Sequence, residues 1–130
     1  MANYEDHLAL ARQLHEDMKR AVTKGEWPIA VDAGFYTVFH GMEALNALEC
    51  RDTYSFADAA DILETMLEPK LGQQFVADYR YLFFFRRGAL YGAHFPSGAQ
   101  ITEFVERANR SFATIQDYLR KAEHRPASAA

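Results

Sequence analysis

The chain is expected to fold as an all-α protein, an up-and-down four-helix bundle with one short additional helix in a crossover. Three observations lead there. Apolar residues recur every three or four positions through most of the 130 residues, strand-like alternation is almost absent, and Gly and Pro punctuate the sequence so that only short connections remain between the periodic stretches.

The first helix is expected over roughly residues 4–24, where Leu8, Ala11, Leu14, Met18, Ala21 and Val22 recur at helical spacing and Glu5, Arg12, Glu16, Asp17 and Lys24 fall elsewhere. Gly25 suits its end, and Pro28 sits where a first helical turn tolerates proline. The second helix follows in IAVDAGFYTVFHGMEALNAL, which is apolar nearly all round and therefore belongs at the centre of the bundle. After the polar break ECRDTYS, a short amphipathic third helix is expected in FADAADILETML, with Phe56, Ala59, Ala60, Leu63 and Met66 on one side. Pro69 and Gly72 precede a fourth helix over about 72–91, HFPSGAQ makes a turn, and Ser97 with Gln100 reads as a capping box. The last helix then carries Ile101, Phe104, Val105, Ala108, Phe112, Ile115 and Leu119 in unbroken spacing. One domain is expected over residues 1–125, with 126–130 a flexible tail.

Composition excludes several classes of function. Hydrophobic residues make up 49% and charged residues 25%, which fits a globular protein, and the net charge of -4 argues against a broad surface for duplex DNA. A small local phosphate site remains open. Cys50 is the only cysteine, so neither an intramolecular disulfide nor a Cys-based metal cage can form. The start MANYEDHLAL is too charged for a signal peptide, no apolar run is long enough to cross a bilayer, and the cytoplasm is the expected compartment.

Three groups of residues can carry chemistry. On the fourth helix Arg80, Arg87 and His94 are seven apart, a step that drifts only about 20° around an ideal helix, with Phe83 and Tyr91 on the same side. Arginine and histidine interleaved with aromatics suit a base and its phosphate. The same arrangement also arises when arginines answer the helix dipole and their stems cover aromatic rings. Arg86 instead falls on the apolar face of Phe75, Tyr79, Leu82, Ala89 and Leu90, and so needs an acceptor or an interfacial cleft. On the second helix Tyr36, His40 and Glu43 share a side, either as a satisfied polar network or as the acceptor that Arg86 wants. A carboxylate di-iron site needs Glu-x-x-His on two helices; the chain has only the reversed HGME, once, and no metal or other cofactor is expected.

The stretches DAGFYTVFHGMEALNAL and RRGALYG, the latter followed by a histidine, resemble the second and fourth helices of HEPN domains, small helical domains associated with nucleotide binding. The resemblance spans roughly residues 28–119. It implies an up-and-down bundle that commonly pairs as a dimer. Many HEPN domains carry Arg, a few residues, then His, and act as metal-independent ribonucleases at a dimer cleft; others lack activity and accompany a small nucleotidyltransferase, often as toxin and antitoxin. In the first register Arg87 and His94 would be catalytic. In the second, R-x-x-A-x-Y-G selects Arg86 with Ala89, Tyr91 and Gly92, as in members not known to cut RNA. The expectation is therefore a binding partner with a nucleotide or RNA phosphate site at a homodimer cleft, contributed by Arg80, Arg86, Tyr91, Tyr36, His40 and Glu43. A metal-independent endoribonuclease and a structural dimer without ligand are the alternatives. The run Tyr79, Tyr81, Phe83, Phe84, Phe85 holds more rings than one inward face buries, which points to a second chain.

Overall fold

The computed structural model describes residues 3–48, 68–92 and 95–123. They form helices α1 (Tyr4–Thr23), α2 (Trp27–Leu48), the single turn α3 (Glu68–Leu71), α4 (Gln73–Arg86), a π-helical turn (Arg87–Tyr91) continuing α4, and α5 (Gly98–Glu123). The architecture is the expected all-α bundle of four main helices. The third helix expected at 56–66 lies outside the described residues, as do Cys50, His94 and the tail.

Local chemistry sets the ends. Asn3 and Asp6 form a reciprocal capping box at the start of α1, the Asp6 amide donating to Asn3 Oδ1 at 2.9 Å and the Asn3 amide to Asp6 Oδ2 at 3.2 Å. At the other end Gly25 takes φ +71°, and the amides of Gly25 and Glu26 return to the carbonyls of Val22 and Ala21, a Schellman ending that favours glycine. The box read at Ser97 and Gln100 is present, with the Ser97 amide donating to Gln100 Oε1 at 2.8 Å and the Gln100 amide to Ser97 Oγ at 3.2 Å.

Helix α2 packs against α1, α4 and α5, and 13 of its 22 residues are buried, so it is the central helix. Its glycines bring α5 close: a Cβ built on Gly34 would lie 2.6 Å from Phe104 Cε1, and one on Gly41 2.9 Å from Ile115 Cδ1. Around this seam Met18, Phe35, Met42, Leu82, Phe104 and Phe112 form the buried core. The aromatic run of α4 is largely absorbed within the chain. Tyr79 packs on Phe35 with ring centroids 5.8 Å apart, Phe83 on Phe35 at 6.1 Å, and Phe85 on Phe104 at 5.1 Å. Tyr81 lies under the Arg107 guanidinium at 4.2 Å. Of the five rings only Phe84 is left largely in the open, at 62% exposure.

Asp78, buried on the inner face of α4, ties α4 to α5. Its carboxylate accepts from Arg110 Nε and Nη2, both at 2.7 Å, from Gln74 Nε2 at 3.0 Å and from Arg107 Nη1 at 3.4 Å. Removing one partner of a buried pair leaves a charge without compensation. Arg110→Ala should therefore cost about 2 kcal/mol in urea unfolding, below the about 3–5 kcal/mol of a fully orphaned charge because Arg107 and Gln74 remain. Arg110→Lys should recover only part of it, since an ammonium cannot make the two parallel bonds.

Candidate functional site

The C-terminal end of α4 gathers four of the candidate residues, Tyr36, Arg86, Arg87 and Tyr91. Arg86, whose side chain is 15% exposed, donates from Nε to Asp32 Oδ1 at 3.0 Å and from Nη2 to the hydroxyls of Tyr36 and Tyr91, both at 3.4 Å. Its guanidinium carbon also lies 5.0–5.5 Å from the ring centres of Tyr36, Phe35 and Tyr91. Burial alone would lower its pKa; the hydrogen bond to Asp32 and the surrounding acceptors more than offset this, and the net direction is up. Arg86 is thus a fixed cation whose Nε and Nη2 donors are committed inside the protein.

Its acceptor is not Glu43, as the sequence allowed, but Asp32, an acid in the first turns of α2. Tyr36 does share in holding Arg86. Tyr91 reaches it from the π turn that continues α4, after which the Gly92 amide returns to an α-type bond with the Gly88 carbonyl at 3.0 Å. The seven-residue step from Arg80 to Arg87 runs along α-helix, whereas the π turn begins at Arg87, and His94 lies outside the described residues.

Arg87 points the other way. It is exposed and lines a shallow groove of about 440 Å³ with Phe84, Gly88, Tyr91 and Gly92. No hydrogen bond or ion pair engages its guanidinium among the described residues. Tyr91 is 72% exposed and Phe84 62%, so two aromatic faces flank the arginine, and a Cβ on Gly88 would meet nothing within 4 Å. Phe95, set edge-on to Trp27 with centroids 6.2 Å apart, adds a further exposed ring. Arg80 is exposed one helical stretch earlier and already engaged.

The remaining candidates of α2 face α1 and the interior. His40 Nδ1 stands 3.4 Å from His7 Nδ1, with the rings stacked at 21° and 5.7 Å between centroids. Burial, and next the neighbouring His7, lower the pKa of His40. Glu43 is buried, and burial raises its carboxyl pKa, an effect opposed by His7. Among the described residues its Oε2 has no hydrogen-bond partner, nor have Asn46 Nδ2 and the Tyr79 hydroxyl. Burial and the charge of Glu43 push the Tyr79 phenol far upward. Tyr36 holds Arg86 and keeps ring contact with His40, centroids 6.2 Å apart, while His40 and Glu43 face His7. Sequence reasoning missed His7, although its position one residue before Leu8 and four before Ala11 put it at the edge of the apolar face of α1.

Among the described residues no helix is long and apolar enough to cross a membrane, and no group of three His, Cys, Asp or Glu stands in a metal-holding arrangement. No protein-family model matches the chain, and no curated protein matches it. What sequence and structure together establish is a small all-helical bundle of 130 residues with a fixed and an uncommitted arginine side by side at the end of α4.

Proposed function

We propose that the chain is a HEPN-like binding module that takes a nucleotide, or a phosphate and base of single-stranded RNA, in the groove at the end of α4 without cleaving it. The observation that carries this reading is Arg87, an uncommitted guanidinium between the exposed rings of Phe84 and Tyr91 over the open floor at Gly88. A cation for the phosphate and π faces for the base are what sequence-tolerant single-strand binding uses. The division of labour between the arginines supports binding over cleavage. Arg86, selected by the R-x-x-A-x-Y-G register, is consumed in positioning Tyr91, and groups already satisfied inside the protein are not free for a reacting phosphate. The exposed rings of Phe84, Tyr91 and Phe95 would be covered by a second copy of the chain or by a protein partner such as a small nucleotidyltransferase, the role that the resemblance implies.

The test is fluorescence anisotropy with a labelled short single-stranded RNA at low salt. Arg87→Ala should weaken binding by about tenfold to a hundredfold, the worth of a charge-assisted contact to phosphate. Unchanged affinity would remove the groove from consideration. In EDTA the RNA should remain intact on a denaturing gel. Cleavage that persists in EDTA and disappears in His94→Ala would replace this reading by the metal-independent ribonuclease, with Arg87 stabilising the phosphate and His94 moving the proton.

A further inference from the structure

We propose that the cleft between the start of α1 and the end of α5 binds a small organic phosphate, a phosphomonoester with an apolar body. Tyr4, Leu8 and Arg12 follow one another at four-residue steps and so lie along one side of α1, while Gln116, Leu119 and Arg120 share a side of α5. Both helices pack on α2 rather than closely on one another. They run antiparallel, with His15 Nε2 of α1 at 2.6 Å from Asn109 Oδ1 of α5, and beyond that contact the two stripes face each other across a cavity of about 300 Å³.

The lining selects an anion. Its floor is Leu8 and Leu119, both buried in the core, and every polar side chain around it can donate: two guanidinium groups, the Gln116 carboxamide and the Tyr4 phenol. No acid lines the cavity among the described residues. Arg12, the half-buried Gln116 and the Tyr4 hydroxyl have no hydrogen-bond or ion-pair partner among the described residues. Arg120 pairs with Asp117, but the same carboxylate also takes Lys121 at 2.9 Å, so cations outnumber the acid there. Guanidinium groups that converge on one cavity repel each other unless an anion stands between them, and a cleft lined by one sign of charge concentrates counter-ions. The chain carries a net charge of -4, so this local excess of cations is not a by-product of a basic composition. A phosphomonoester brings about two negative charges and three acceptor oxygens, which match the planar guanidinium forks. Its apolar body lies on Leu8 and Leu119. The cavity is at the lower end of small-molecule sites, about 300–1,000 Å³, and so suits a small ligand. Leu14 to Lys24, the other half of α1, flank a cavity shared with Leu90 near the groove at Arg87. Leu8 and Ala21 stand about 20 Å apart along α1, so the phosphate site is separate from that groove and stands or falls independently of nucleotide binding there.

The experiment is a titration of the nitrogen-15-labelled full chain with phenyl phosphate in a phosphate-free, low-salt buffer, followed by backbone amide shifts. Saturable shifts should appear at Tyr4, Leu8, Gln116 and Leu119, with a dissociation constant below about 1 mM that rises with added salt. Arg12→Ala and Arg120→Ala should each weaken binding about tenfold, the worth of a charge-assisted contact to phosphate. Arg12→Lys should weaken it less, since the charge survives and only the fork is lost. Arg12 holds nothing within the protein, so its substitution leaves the fold intact, which circular dichroism checks. Arg87→Ala should change nothing. Inorganic phosphate, which lacks the apolar body, and benzoate, which carries a single charge, should both bind more weakly than phenyl phosphate. No saturation up to about 10 mM, or equal binding by the folded Arg12→Ala, Arg120→Ala double variant, would overturn the site. So would loss of binding in Arg87→Ala alone, and benzoate or inorganic phosphate binding as tightly as phenyl phosphate would overturn the ligand class.

Discussion

Gly34→Val should destabilise the protein by about 3 kcal/mol or more, one of the two largest effects expected here, read as a fall in the urea midpoint at unchanged slope. The first carbon of the new side chain would stand 2.6 Å from Phe104 Cε1 and 2.9 Å from Met18 Sδ, both inside ordinary contact distance. Met18 is flexible and can turn. Phe104 cannot do so cheaply, because it is wholly buried and packed against Phe85 at 5.1 Å. Two further methyl groups and a β-branch then force α2 and α5 apart along the seam that also brings Gly41 against Ile115. Gly34→Ala should cost less, since the shorter side chain clashes only through Cβ and gains about 0.5–1 kcal/mol of helix propensity. The cause can be isolated by pairing Gly34→Val with Phe104→Leu, which makes room at the contact: the double variant should lose less than the sum of the two single losses. Gly88→Ala is the control. It adds a methyl group into open space in a helical turn and should leave stability unchanged or slightly raised, and a large loss there would mean that crowding is not what distinguishes the glycines.

The fold was legible where its causes are local. The Ser97 and Gln100 box, the stop at Gly25 and the heptad-like run of α5 depend on residues a few positions apart, and all three appear as read. The all-round apolar character of α2 likewise reported its central place. The site was legible only in its ingredients. That Arg86 needed an acceptor followed from its apolar face, but the acceptor lies 54 residues away, and Glu43 and Asp32 are both acids on the same helix whose choice depends on how α2 is rotated against α4. Tyr91 was placed with Arg87 by counting 100° per residue, yet the π turn brings its hydroxyl to Arg86 as well. His7 and His40 meet only once α1 and α2 are docked antiparallel. Asp78 did carry a signal that was passed over: it follows Phe75 by three and precedes Leu82 by four, so an acid on that face had to find basic partners elsewhere, and Arg107 and Arg110 supply them.

The other large effect is expected at Arg86, and it joins stability to binding. Arg86→Ala should lower stability by about 2–3 kcal/mol, because it removes a charge-assisted hydrogen bond to Asp32, the donor to two tyrosine hydroxyls, and a cation held against three rings. The loss stops short of that for a fully buried pair, since Asp32 is half-exposed and water can replace its partner. Arg86→Lys should recover little: an ammonium cannot reach Asp32 and both hydroxyls at once, nor stack on the rings as a guanidinium plane does. The same substitution should weaken RNA binding about fivefold to tenfold although Arg86 is not assigned a ligand contact, because Tyr91 loses the bond that fixes its ring beside Arg87 and must be ordered when the base arrives. Tyr91→Phe separates the two effects. It keeps the ring and removes only the acceptor, so it should cost less than about 1 kcal/mol in stability and reduce affinity by less than Arg86→Ala does. Tyr91→Ala, which removes the stacking face itself, should match or exceed the affinity loss of Arg86→Ala while leaving the bond to Asp32, and with it most of the stability, in place. If instead Arg86→Ala unfolds the protein no more easily than the parent and binds RNA equally well, the polar node at the end of α4 neither holds the bundle nor shapes the groove.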